Sequence, residues 1–270
     1  ALKFKRTRSV TRAPSRKPRD VSPGRTPLVY SAFKFSYCTL TMACALAATP
    51  SQPKLSGVAL YDYLYATGYH NTTTGSRAID LFPTLQNLTK SEGLASVLDI
   101  GCSHGYAVNW LWSLGVRASG VDISNNAIAL AKRTRGEPAD KCVGPCFQQG
   151  PATQLPWPNR SFEAIMSSDV LEHLEPKDVD EAIGEIGRVA SRFLVLKIAA
   201  RHDSTPTYKT MDKETRSQLP GDLHPVVQKM PWWHAKFAKV GFKLHRTIPS
   251  RHWWTCCSFV MERVSDRLEI

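Results

Sequence analysis

Asp99, Gly101, Gly105 and Asp122 are spaced as a cradle for a polar ligand would need them, with Asp122 about 20 residues beyond the glycine turn. Glycine lets a backbone approach a ligand closely and adopt dihedrals closed to other residues. A helix that opens at such a turn presents unpaired N–H groups. A carboxylate at the position of Asp122 can accept both hydroxyl protons of a ribose. Asp99, beside the turn, disfavours a pyrophosphate there and favours a cationic group. Two histidines further on, His173 and His224, are candidates for a general base, a role that imidazole side chains suit.

The elements that must hold these residues follow from the pattern around them. Val97 and Leu98 lead through Asp99 and Ile100 into the small-residue turn Gly101-Cys102-Ser103-His104-Gly105, which reads as a buried strand feeding a helix. Ala107, Trp110, Leu111 and Leu114 then recur at helical spacing, with Gly115 as the C-terminal cap. Ala118 to Val121 is a second strand ending on Asp122, and Ser124 caps a helix carrying Ala127, Leu130 and Ala131. Asp169 and Glu172 have the spacing of a capping box. Val179, Ala182, Ile183, Ile186 and Val189 trace one face of a helix that leads into the apolar strand Phe193 to Ala199. Strands alternating with helices at this spacing mean a parallel sheet. A helix from Pro231 to Val240 and two strands, Phe242 to Ile248 and His252 to Arg263, close the chain.

The motifs resemble those of the class I S-adenosylmethionine-dependent methyltransferases, whose first-strand signature is D/E-x-G-x-G-x-G. Asp99, Gly101 and Gly105 match it, and Ser103 stands where the middle glycine is usual. The run Gln148 to Ile165 resembles the loop and fourth strand of that family, and Val170-Leu171-Glu172-His173-Leu174 resembles the end of its strand four. The resemblance implies a Rossmann-like α/β fold with a seven-stranded sheet, mostly parallel with an antiparallel C-terminal hairpin, and helices on both faces. It implies S-adenosylmethionine as cofactor, held by Asp99, Gly101, Cys102, Ser103, Gly105, Asp122, Ile123, Ala152, Thr153, Ser168 and Asp169. Where the family commonly has an acidic residue for the adenine amino group, this chain has Pro151. The residues from Arg201 to Met230 fall where the family builds its acceptor surface, and the tyrosine-rich segment Tyr61 to His70 falls where it caps the cofactor. Aromatic faces attract cations, so Tyr69 and His70 are candidates to face the sulfonium.

Length and composition allow one full-sized core plus extensions, with residues 57–270 as the folded domain and 1–56 as a basic, disordered extension. The formal charge of +12 is unevenly spread: residues 1–56 hold eleven Lys or Arg against Asp20 alone, which leaves +2 for the remainder. Charge therefore does not indicate nucleic acid as a partner of the folded domain. The extension has the composition of an organellar transit peptide for mitochondrion or plastid, the run ending Ala45-Leu46-Ala47-Ala48 resembles a signal-peptide cleavage region, and Met42 leaves open that the first 41 residues are an upstream segment. No segment reads as a transmembrane helix. The 7 cysteines lack a framework spacing, which fits a reducing compartment, cytoplasmic or organellar. Cys142 and Cys146 have no matching second pair, so no metal site is expected from them.

The activity expected is methyl transfer to a small-molecule acceptor, with His173 and His224 as candidate bases. A catalytically inactive methyltransferase-fold scaffold or assembly subunit is the alternative, with an RNA or protein acceptor ranked lower. A dehydrogenase ranks lower as well, because G-x-x-x-G is not the dinucleotide fingerprint.

Overall fold

The computed structural model describes residues 54–67, 77–202, 213–249 and 257–264. The chain divides into two units, residues 1–49 and 50–270, and every described residue belongs to the second. The expectations for residues 1–53, for Tyr69 and His70, for 203–212 and for a last strand beginning at His252 lie outside the described residues.

Seven strands form one sheet: β1 Ser96–Ile100, β2 Arg117–Asp122, β3 Phe147–Gln149, β4 Phe162–Ser168, β5 Ala190–Ile198, β6 Phe242–Thr247 and β7 Cys257–Arg263. Their order is β3-β2-β1-β4-β5-β7-β6. The first five run parallel, and β7 pairs antiparallel with both β5 and β6. This is the expected architecture, and its reversal of strand order between β1 and β4 opens a crevice at the carboxyl ends of those strands.

The helices are α1 Gly57–Ala66, α2 Phe82–Glu92, α3 Tyr106–Ser113, α4 Asn125–Arg135, α5 Val179–Val189, α6 Lys213–Gln218 and α7 Met230–Ala238. A sheet covered on both faces needs apolar residues at successive positions, and side-chain alternation then sorts them. Val97, Phe193 and Val195 pack on one face with Leu85, Leu111 and Ile128 from α2, α3 and α4. Leu98, Leu194 and Leu196 pack on the other with Ile183, Ile186, Trp233 and Phe237 from α5 and α7. A smaller cluster joins Leu60 and Leu64 of α1 to Leu219 and Leu223.

The sequence expectations differ from the structure at three places. No α-helix begins at Asp169: a single 3-10 turn, Leu171–His173, follows β4, and Val170 at its start makes no side-chain cap. Glu172 turns inward and Asp169, at φ 55°, pairs with Lys197 Nζ at 3.2 Å, so both carboxylates find partners that a cap would have denied them. Cys142 and Cys146 are joined in a disulfide with their Cα atoms 5.1 Å apart, and Cys257 is disulfide-bonded too. These cysteines are therefore not the unpaired thiols that the lack of a framework spacing leads one to expect. β5 also begins three residues earlier than its apolar run, at Ala190, because Ala190 pairs with Phe162 of its parallel neighbour β4.

Candidate active site

The turn after β1 is shaped by its small residues. Gly101 sits at φ 76°, and a Cβ there would stand 2.2 Å from Val170 Cγ2. At Gly105, φ 69°, a Cβ would meet the Phe147 ring at 2.6 Å. Both positions thus require glycine for conformation and for space. Ser103 shares the left-handed region at φ 50°, where a side chain is strained. Its N–H donates to Asp122 Oδ2 at 2.9 Å, which offsets that strain. Cys102 is buried; its N–H donates to the Val121 carbonyl at 3.0 Å, and burial pushes its thiol well above the usual range.

Asp122 is the hub of the turn. Oδ1 accepts from Ser124 N–H at 2.9 Å, Oδ2 accepts from Ser103 N–H, and the Tyr65 hydroxyl lies 3.5 Å from Oδ2. Burial raises its carboxyl, and those donors pull it back down. Each carboxylate oxygen has two lone pairs, so these bonds orient the group toward a further donor and do not exhaust it. Asp99, only 4% exposed, is raised well above the usual carboxylate range by burial and then by the charge of Asp122. A cation placed beside it would reverse that shift.

These residues open into a cleft of about 600 Å³. Asp99, Gly101, Cys102, Ser103, Asp122, Ile123, Ala152, Thr153, Ser168 and Asp169 line it, as does His173, while Gly105 and His224 do not. The loop carrying Ala152 and Thr153 is held from α5, where Glu185 accepts from Leu155 N–H at 2.8 Å and Arg188 donates to the carbonyls of Leu155 and Trp157. Pro151 is exposed at the cleft rim. Lys197 is 8% exposed and is bound between Asp80 at 3.1 Å and Asp169 at 3.2 Å, which fixes the end of β4 against β5.

Opposite the glycine turn, three segments converge. The backbone N–H of Val226 donates to the Glu172 carbonyl at 3.2 Å and brings the His224 segment onto the turn after β4. The rings of His173 and His224 meet edge to face at 4.5 Å, and Tyr61 of α1 lies 6.0 Å from His173. Glu172 is fully buried, with its carboxyl raised by burial and then by the Asp169 charge.

Several of these residues escape a reading of the sequence. The sequence places Tyr65 only within the tyrosine-rich segment Tyr61 to His70 that the resemblance sets over the cofactor, and gives no sign that its hydroxyl lies 3.5 Å from Asp122 Oδ2. Asp62 accepts from Ser124 Oγ at 2.6 Å and from Asn126 N–H at 3.1 Å, so α1 is tied to the start of α4. Burial tends to raise Asp62, and these hydrogen bonds hold it below its usual value. The one local signal for Glu172 was an acid between Leu171 and Leu174 at a helix start that does not form.

Residues 98–192 match the model of a methyltransferase domain family, and the seven-stranded sheet has the fold of S-adenosylmethionine-dependent methyltransferases. Over 112 residues the chain is 30% identical to a fatty-acid O-methyltransferase of Mycolicibacterium smegmatis, a match that spans 40% of this chain and 38% of that protein. The chain thus spans well under two thirds of that relative's length. Magnesium protoporphyrin IX methyltransferase from Synechocystis PCC 6803 with bound SAH shares the fold with a TM-score of 0.55 and 21% identity, over 75% of this chain and 97% of that one. 1,6-Didemethyltoxoflavin-N1-methyltransferase from Burkholderia thailandensis, crystallised with its acceptor and S-adenosylhomocysteine, shares it at 0.52 and 15% identity, over 78% and 92%. No helix among the described residues is long and apolar enough to cross a membrane.

Proposed function

We propose that the chain transfers the methyl group of S-adenosylmethionine to a nucleophilic oxygen or nitrogen of a small molecule. The observation that carries this reading is Asp122: a buried carboxylate, oriented by two backbone N–H groups at the end of β2, facing a cleft next to the glycine turn. Such a group binds a ribose diol, and Asp99 supplies negative charge where a cationic cofactor lies. The fatty-acid O-methyltransferase match supports a small acceptor with a reactive oxygen. The near-neutral folded region supports the same conclusion against a polynucleotide.

Methyl transfer requires that nucleophile, methyl carbon and sulfur be in line, so positioning supplies most of the rate. Tyr61 and Tyr65 of α1 cover the cleft, and the segment from Asp222 to Pro225 closes its far side. The acceptor then lies between this lid and His173, with its attacking atom toward the cofactor methyl.

Calorimetry with S-adenosylmethionine, its demethylated product and nicotinamide dinucleotides tests the cofactor half. Incubation with isotope-labelled cofactor and a metabolite extract, followed by identification of the labelled product, tests the acceptor half. Binding of dinucleotides alone would overturn the reading. Cofactor binding with no labelled product from any extract would favour a scaffold.

A further inference from the structure

Resting on the methyl-transfer reading, a second group of residues, beside the cleft at His173, points to a ligand of its own. One ligand atom each from Glu172, His173 and His224 lies within 4.8 Å of the other two. Glu172 is fully buried; Oε1 accepts from Ala199 N–H at 2.9 Å, and Oε2 is buried with no hydrogen-bond partner among the described residues. A buried carboxylate oxygen left in this way requires a proton or a cation. Lys197, whose charge acts on Glu172, is held between Asp80 and Asp169.

The histidines are arranged to complete such a site. His224 is buried, and its Nδ1 lies 2.6 Å from the Arg201 carbonyl. A carbonyl only accepts, so Nδ1 carries the proton and Nε2 keeps its lone pair, the tautomer a metal ligand needs. Arg201 and Ala199 both follow β5, so one short stretch of backbone orients two of the three groups. Ligands about 2.1 Å from an ion stand roughly 3 to 3.5 Å from each other, so sub-rotamer adjustments close the present spacing around one.

We propose that Glu172, His173 and His224 bind a divalent transition-metal cation. Two imidazole nitrogens and one carboxylate favour an ion of the zinc type over magnesium or calcium, which prefer sets made of oxygen alone. Three protein ligands leave a coordination position open, and His173 lines the cleft, so that position faces the acceptor. An acceptor hydroxyl bound there loses its proton to solvent more readily. Its oxygen then forms the bond to the methyl carbon as the carbon–sulfur bond breaks, and the electron pair of that bond neutralises the sulfonium to a thioether.

The test uses the full chain, stripped with a chelator and dialysed. Titration with ZnCl2 by calorimetry is expected to show one site per chain, and CoCl2 to give visible d–d bands from nitrogen ligation. Glu172→Gln, which keeps an acceptor for the Ala199 N–H, His173→Asn and His224→Asn should each weaken Zn2+ binding at least about 100-fold, since even outer partners of metal ligands are worth about 10- to 100-fold. S-adenosylmethionine affinity, measured without metal on the same samples, should stay within about threefold and certifies that each variant is folded. Wild-type protein that binds S-adenosylmethionine but takes up no stoichiometric Zn2+ would overturn the site. So would uptake that persists unchanged in the folded variants. Protein that binds Zn2+ through these residues but ignores S-adenosylmethionine would instead overturn the methyl-transfer reading and leave the metal site standing.

Discussion

The two walls of the cleft are built in different ways. The wall around Asp122 comes from one strand-turn-helix-strand stretch, and its main contact, Ser103 N–H to Asp122, joins residues 19 apart. The opposite wall joins Tyr61 of α1, His173 after β4 and His224 after α6, and nothing local connects them. Backbone geometry sets the first wall, so substitutions there act on the turn itself. Side-chain packing across the fold sets the second, where Leu60 and Leu64 against Leu219 and Leu223 hold the lid to the His224 segment. Cofactor affinity should therefore respond to the first wall and turnover to the second.

The largest effect is expected at Gly101. An added Cβ meets both a left-handed backbone, worth roughly 1 to 2 kcal/mol, and the Val170 side chain, worth about 1 to 3 kcal/mol of overpacking. Gly101→Ala should abolish measurable S-adenosylmethionine binding and lower the melting temperature, both read on one purified sample. Normal binding by this variant would show that the turn is more pliable than its geometry indicates. Next comes Asp122→Asn, which removes charge from the hydrogen bonds at the hub. Calorimetry should show a loss of about 2 to 3 kcal/mol in cofactor affinity; a change below threefold would remove Asp122 from the ribose role.

Asp99 yields a pH-dependent prediction. Burial and then the Asp122 charge raise its folded-state carboxyl above the unfolded value of about 3.9. The stability it contributes is therefore fully present below about pH 4 and is lost as pH rises through the raised value. Scanning calorimetry should show the melting temperature of the ligand-free protein falling more steeply with pH in this window for wild type than for Asp99→Asn. Saturating S-adenosylmethionine should flatten the wild-type slope, and identical slopes with and without it would place the cationic group elsewhere.

Smaller effects sharpen the contrast between the walls. Tyr65→Phe removes a long hydrogen bond to Asp122, so a loss of about 0.5 to 1.5 kcal/mol in cofactor affinity is expected. His224→Asn should leave cofactor affinity within about threefold, roughly 0.6 kcal/mol, while lowering turnover of an identified acceptor. A His224 variant that loses cofactor affinity as severely as Asp122→Asn would show that the walls are not independent.

The wall around Asp122 was legible in the chain because its information is local. Small residues in the turn after an apolar strand, an acid at the end of the next strand and Ser124 at the start of α4 each follow from short-range conformational and capping rules. The parallel sheet was legible for a related reason, since strands alternating with helices imply parallel pairing, while the strand order came from the tertiary structure. The helix face Val179, Ala182, Ile183, Ile186, Val189 is buried as its period required.

The tertiary structure decided where the remaining chemistry sits. Asp169 and Glu172 have the spacing of a capping box, but Lys197 from β5 and the Ala199 N–H after it recruit them instead, and a local rule does not include those partners. Tyr65 and Asp62 contribute to the site only because α1 folds back over the ends of β2 and α4. Cys142 and Cys146 became a disulfide because the turn between them brings their Cα atoms within bonding range. His173 and His224, 51 residues apart, meet because the Val226 N–H finds the Glu172 carbonyl. The sequence by itself thus determined the parallel sheet and the glycine turn, where neighbouring residues impose the geometry. Only the fold could decide the wall of Tyr61, His173 and His224, whose groups are far apart in the chain and are oriented by hydrogen bonds that exist once the sheet has formed.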